Sequence, residues 1–151
     1  MPVSLGVRLR DDGLDERLAE LAGRLADREP ALAEIGGELQ TSTHQRFREQ
    51  RGPDGEAWPG LAAATLGQRK GDRRRAKILR DTGELFNSIS FQATADEVHV
   101  GTNKAYARIH QLGGQAGRAS AARIPARPYL GVSEADRQTV ADILSQYLGG
   151  R

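Results

Sequence analysis

Three histidines, His44, His99 and His110, are the side chains in this sequence best suited to bind a metal or to move a proton near neutral pH. None belongs to a His-x-x-x-His or carboxylate-spaced pattern, and there is no His-Glu-x-x-His helix, so spacing argues against a metal centre. Ser88, His110 and Asp81 supply the three side-chain types of a nucleophilic triad. No Gly-x-Ser-x-Gly elbow surrounds Ser88, and almost any chain of 151 residues offers such a trio. Paired carboxylates are confined to acidic helical stretches, where a solvated face accounts for them. The 18 glycines form neither a Gly-x-Gly-x-x-Gly nor a Walker pattern. Cysteine is absent, which removes thiolate nucleophiles, disulfides and Cys-ligated zinc or iron–sulfur sites. The expectation is a protein that is not an enzyme and needs no cofactor.

Charge is the remaining chemistry. From Asp11 to Glu38 nine acids stand against Arg17, Arg24 and Arg28, a net charge of −6. From Gln68 to Arg80, Arg69, Lys70, Arg73, Arg74, Arg75, Lys77 and Arg80 stand against Asp72, a net charge of +6. Opposite runs of this kind suit head-to-tail contact between copies, or nucleic-acid contact through the basic run. Two ordinary solvated faces would produce the same pattern. The loop Arg69-Lys70-Gly71-Asp72-Arg73-Arg74-Arg75 could neutralise phosphates. It carries no aromatic residue for base stacking and no recognition-helix or zinc-finger framework surrounds it, so any DNA contact would be non-specific.

The elements that must position these groups follow from periodicity. Leu14, Leu18, Leu21 and Leu25 mark an amphipathic helix over Asp11 to Arg28, with Asp11 or Asp12 as its cap. Pro30 interrupts, and Leu32, Ile35, Leu39, Thr43 and Phe47 form a second stripe over Ala31 to Gln50. Gly36-Gly37 should bend that helix or admit a close neighbour. Arg51-Gly52-Pro53-Asp54-Gly55 is a turn cluster, followed by the lone Trp58 and a short helix near Ala62 to Leu66. Gly67 to Arg75 has no apolar periodicity and reads as an exposed, mobile loop. Asp81 or Thr82 can cap a short helix containing Gly83, Leu85 and Phe86.

Ile89, Phe91 and Ala93 alternate with polar residues, as do Val98 and Val100, and Thr94-Ala95-Asp96-Glu97 connects them as a hairpin. Lys104 to Leu112 is expected to be helical and to stop at Gly113-Gly114. Gln115 to Ala122 reads as a loop. Ile124 to Leu130, with Pro125 and Pro128, is expected to be an exposed edge strand or a docked irregular segment. Ser133 caps a final helix with Val140, Ile143, Leu144, Tyr147 and Leu148 on its apolar face. The fold class is α+β: an amino-terminal helical arm (1–50), then a core (51–151) with a small antiparallel hairpin sheet and a carboxy-terminal helix.

The size fits one domain, and no apolar run approaches the ~20 residues needed to cross a bilayer. The amino terminus shows neither a basic n-region nor a long apolar h-region, so no secretory signal is expected.

The order of landmarks carries a resemblance. Phe47 is followed by Pro53-Asp54-Gly55-Glu56-Ala57-Trp58-Pro59-Gly60-Leu61, then by Lys77-Ile78-Leu79-Arg80-Asp81-Thr82-Gly83-Glu84-Leu85-Phe86-Asn87-Ser88-Ile89. Val98-His99-Val100-Gly101-Thr102, Tyr106-Ala107-Arg108-Ile109-His110-Gln111-Leu112-Gly113-Gly114 and Ile124-Pro125-Ala126-Arg127-Pro128-Tyr129-Leu130-Gly131 complete the series. Over roughly the last two-thirds of the chain this resembles the phage virion morphogenesis (tail completion) family of Mu-like and related tailed phages. The resemblance implies a structural protein of the tail or neck that completes the tail for joining to the filled head. It also implies assembly as a homo-oligomeric ring with tail-tube and neck proteins as partners, and a place in the virion after assembly in the host cytoplasm.

Trp58, Gly83, Leu85 and Ile89 are then structural landmarks. Tyr106, Ile109 and Leu112 are expected to pack one helix face against the hairpin. Pro125 and Pro128 would stiffen a strand that a neighbouring subunit can meet. Arg69, Lys70, Arg73, Arg74, Arg75, Tyr106, His110, Pro125, Arg127 and Pro128 are the candidate interface residues. A nucleic-acid-associated accessory protein using the basic loop is the alternative function, and a small hydrolase is a third.

Overall fold

A computed structural model describes residues 13–68 and 77–150 of the chain. The Leu stripe produces helix α1 (Leu14–Ala26). Gly13, in the left-handed region at φ 82°, precedes α1 without a side-chain cap. The expected caps Asp11 and Asp12 lie outside the described residues, as do Arg69 to Ala76. Helix α2 (Glu29–Glu49) starts with Pro30 in its first turn, where a missing amide costs nothing, and ends at Gln50 in the left-handed region. It runs unbroken through Gly36-Gly37. Gly36 is there because the Phe91 ring lies against it: a Cβ would fall 2.8 Å from the ring's Cγ and 2.9 Å from Cε2. The close neighbour is thus an aromatic side chain from the hairpin, while Gly37 faces open space.

Short helices α3 (Ala63–Gln68) and α4 (Glu84–Asn87) lead into the hairpin. Strands β1 (Ser90–Ala93) and β2 (Val98–Gly101) pair antiparallel, with Phe91 opposite Val100 and Ala93 opposite Val98. Thr94 to Glu97 closes the connection through Thr94 N–H to Glu97 O at 2.9 Å. After α5 (Ala107–Leu112), Gly113 at φ 73° turns the chain. Beyond it, where a loop over Gln115 to Ala122 is expected, the chain forms a second hairpin. Strands β3 (Gly114–Ala116) and β4 (Ala122–Ile124) pair as a second two-stranded sheet. Each has only three residues, too short for a period of two to announce it.

The last helix, α6 (Glu134–Gly149), starts as expected at Ser133. Ser133 Oγ accepts from Asp136 N at 3.1 Å while Asp136 accepts from Ser133 N at 2.8 Å, a complete capping box. α6 packs along α2, which also lies against both strands of the hairpin.

Two apolar clusters result. Ala31, Ile35 and Ile143 are buried between α2 and α6. Phe47, Trp58, Ile78, Leu85, Ile89, Ala107 and Tyr129 form the larger one. Phe47, fully buried at the end of α2, is its hub: Trp58 meets it edge-on at 5.5 Å between centroids, and Tyr129 lies 5.2 Å away. Phe47, Trp58 and Tyr129 thus bring three aromatic rings into one buried cluster.

Helix α1 stands apart. None of its residues is buried, and Leu14, Leu18, Leu21 and Leu25 are 36–53% exposed. It is tied to α6 by Arg24 Nη1 donating to Leu148 O at 3.3 Å, and by the Tyr147 hydroxyl donating to Asp27 O. Among the described residues no helix is long and apolar enough to cross a membrane.

Candidate assembly surfaces

The segment from Ile124 to Gly131 is docked rather than free. Arg127 N donates to His110 O at 2.8 Å, which lays the segment along α5. The side chain of Gln111 zips it further. Its Oε1 accepts from both Tyr129 N and Leu130 N at 3.0 Å, and its Nε2 donates to Leu130 O at 2.9 Å. Tyr129 drops into the core and its hydroxyl donates to Ala107 O at 3.0 Å. Burial, and then the neighbouring Tyr106, push the Tyr129 phenol above its ordinary pKa.

Three of the expected interface residues are wholly or partly covered by the chain itself. Arg127 is 5% exposed, with Nε and Nη2 donating to the carbonyls of Pro59 and Gly60 at 2.8 and 2.7 Å. Its guanidinium braces the Trp58 turn, and burial lowers its pKa. Pro125 and Pro128 are half-buried, so the segment is an internal strap, the docked one of the two expected alternatives. The expected packing of α5 also changes. Ala107 is the buried residue of that helix, whereas Tyr106 and Leu112 are 42% and 62% exposed. A six-residue helix buries one narrow line, and Tyr129 selects it.

Trp58, Leu85 and Ile89 are buried as expected. Trp58 Nε1 donates to Pro128 O at 2.8 Å, so the indole joins the turn after α2 to the strap. Gly83 has φ 80°, the left-handed conformation that a residue with a Cβ resists, and Glu84 N donates to Thr82 Oγ1 at 3.3 Å at the start of α4. Arg69, Lys70, Arg73, Arg74 and Arg75, and the mobile loop expected there, lie outside the described residues.

A buried ion pair escaped the sequence reading. Arg46 Nη2 donates to Asp136 Oδ2, and Arg46 Nη1 donates to Tyr129 O at 3.0 Å and Gly131 O at 2.8 Å. One guanidinium thus joins α2, the end of the strap and the first turn of α6. Burial alone would raise the Asp136 pKa. Hydrogen bonds from Ser42 and Ser133 and the charge of Arg46 outweigh it and hold the carboxyl below its usual value. Burial dominates at Arg46 and lowers its pKa despite the carboxylate. The signals were present: Arg46 follows Thr43 by three on the apolar stripe, and Ser133-x-x-Asp136 has capping-box spacing.

Between the strap, α3 and α4 lies a groove of about 450 Å³ lined by Leu61, Thr65, Leu79, Leu85, Tyr106 and Ile124, among others. His110 reaches it from α5, and its Nδ1 is a buried nitrogen with no hydrogen-bond partner among the described residues. Burial, then the charge of Arg127, lower the His110 pKa. Ser88 Oγ, the hydroxyl of the conceivable triad, is bonded to Leu85 O at 2.8 Å and to Thr102 Oγ1 at 2.5 Å, with no histidine beside it in those contacts. Among the described residues no group of three or more His, Asp or Glu gathers to hold a metal.

Among the described residues, apolar surface stays exposed on α1 and in the groove. The chain belongs to the phage virion morphogenesis family, which it matches over residues 9–149. It is similar to the Mu-like prophage FluMu G protein 2 of Haemophilus influenzae, 34% identical over 130 residues, covering 86% of this chain and 85% of that one. It is also similar to protein G of Escherichia phage Mu, named for capsid assembly, 33% identical over 147 residues covering 95% of this chain and 91% of the relative. No solved structure matches it.

Proposed function

We propose that this protein is a structural virion component that completes the phage tail and prepares it for joining to the filled head, acting as a homo-oligomeric ring at the tail or neck. The observation that carries the reading is the family match over residues 9–149, which takes in both the helical arm and the strap. Two features suit a ring. The charge runs of −6 and +6 lie far apart in the sequence, as a heterologous contact requires. The four leucines of α1 are exposed in the single chain and gain from being covered. Tail-tube and neck proteins would be its partners, and DNA contact through the basic run would be non-specific. The chain reaches its place in the virion from the host cytoplasm.

Interrupting the gene in the phage that carries it tests this. Electron microscopy of the lysate should show filled heads and separate tails that join when the purified protein is added. The phage Mu relative's name supports a second reading, a part in building the capsid itself. Malformed or unfilled heads beside normal tails would favour that reading and sink the first.

A further inference from the structure

The β1–β2 hairpin closes on Thr94 N–H donating to Glu97 O at 2.9 Å. Hydrogen-bonded pairs alternate along an antiparallel ladder, so Gln92 exchanges bonds with His99 and Ser90 with Gly101. The peptide groups of Phe91 and Ala93 therefore point outward from β1, where no third strand pairs among the described residues. Such edges are normally blunted by charge, proline or a bulge. From Ser88 to Ala95 there is no charged residue and no proline, and the register with β2 is regular. The other strand differs, since Glu97 and His99 stand 3.1 Å apart on its exposed side.

The body leaves room beside the β1 edge. Each residue of α2 is turned about 100° from the one before. Ile35 is buried with Ile143 of α6, Gly36 lies against Phe91, and Gly37, next around the helix and away from α6, faces open space. Val98 of β2 packs into the α2–α6 cluster, so β1 is the strand on the open side. We propose that residues 3–9 of a neighbouring copy add a third strand to this edge of β1.

Residues 1–12 lie outside the described residues, and their sequence supplies the match. Val3, Leu5, Val7 and Leu9 alternate with Ser4, Gly6, Arg8 and Arg10, the period of a strand with one apolar face. Set beside β1, that face continues the one formed by Phe91 and Ala93, and the arginines stay in water. Main-chain bonds hold such an added strand, and its alternate side chains select the register.

Reach favours another copy's edge. Arg28 pairs with Asp96 at the hairpin turn, so the carboxy-terminal end of α1 is the one beside the sheet. α1 packs on α6 and is about 20 Å long, whereas the chain from Leu9 to Gly13 spans at most about 14 Å. A strand carried at the far end of that arm meets a neighbour more readily than its own β1. Every copy offers one strand and one edge, so the contact is heterologous and can close into a ring. The inference rests on the ring reading above and adds the contact that builds it.

The chain has no cysteine, so introduced thiols are unique. Gln92→Cys, exposed on the outer face of β1, carries a mass tag and is mixed in turn with untagged Ser4→Cys, Gly6→Cys and Arg8→Cys. Under a mild oxidant at least one mixture should give a tagged–untagged disulfide dimer, and His99→Cys in place of Gln92→Cys should give little. Gly6→Pro with Val7→Pro strips the amide from two adjacent residues, one of which faces β1. It should raise the concentration needed for assembly by about tenfold or more and leave the Tm of the isolated chain unchanged. Mixed dimers through His99→Cys but not Gln92→Cys would move the strand to β2 and overturn the proposal. So would a Gly6→Cys/Gln92→Cys double variant that closes on itself at high dilution. Oligomers by light scattering with no mixed disulfide would overturn it too, although the ring reading would then survive. A chain that stays monomeric at every concentration would sink both.

Discussion

Trp58 donates its indole N–H to the carbonyl of Pro128, 2.8 Å away and 70 residues along the chain. The same ring stands edge-on to Phe47 at the end of α2. One side chain thus holds together α2, the turn that follows it and the strap.

Trp58→Ala should therefore cost roughly 3–5 kcal/mol, a large part of a total near 5–15 kcal/mol. Trp58→Phe should cost less, since it keeps most of the apolar contact and loses the hydrogen bond. Thermal melts would check both. As the chain's sole tryptophan, 6% exposed, Trp58 should emit at blue-shifted wavelengths. A water-like emission maximum and an unchanged Tm in the alanine variant would contradict the pinning role.

Arg46→Met should destabilise by roughly 3–5 kcal/mol, because it strands the Asp136 carboxylate in a buried site. The double variant Arg46→Met/Asp136→Leu should recover much of that loss. A double variant as unstable as the sum of the singles would show that the pair acts independently and not as a unit.

The pH dependence follows from the same pair. The folded-state pKa of Asp136 is lowered, so its stabilisation is complete above the unfolded carboxyl value near ~3.9. It fades as pH falls through that value towards the lower folded one. Denaturant melts between pH 6 and pH 2 should show a steeper acid loss in the parent than in Asp136→Asn. Equal slopes would remove Asp136 from the account.

Gly36 and Gly37 should separate cleanly. Gly37→Ala, in open space inside a helix, should stabilise by about 0.5–1 kcal/mol. Gly36→Ala gains the same propensity but collides with the Phe91 ring, and should lose about 1–3 kcal/mol net. Phe91→Leu should relieve the collision in the double variant. Urea midpoints measure all three, and a stabilising Gly36→Ala would refute the packing.

Self-association should weaken as salt rises, because exposed charges are screened over roughly 10 Å at 0.1 M salt. Light scattering across an ionic-strength series reads this directly. Association unchanged between low and high salt would remove the charge runs from the interface.

Local chemistry made much of the fold legible. The Leu stripe of α1, the alternation of Ile89 to Val100 and the Ser133 cap each act over a few neighbouring residues, and each element stands where its periodicity put it. The landmarks from Phe47 to Gly131 were enough to point to the family. Tertiary structure alone decided which apolar faces are covered. The stripe of α1 has the same pattern as a core helix, yet it lies exposed, and Arg24 and Asp27 at the carboxy-terminal end of that helix bond to α6. Arg127, a candidate interface residue by sequence, is buried, because the carbonyls of Pro59 and Gly60 satisfy it from 68 and 67 residues away. The same holds for Arg46 with Asp136. Periodicity reports how amphipathic a segment is, but the partner that covers it comes from a distant part of the chain.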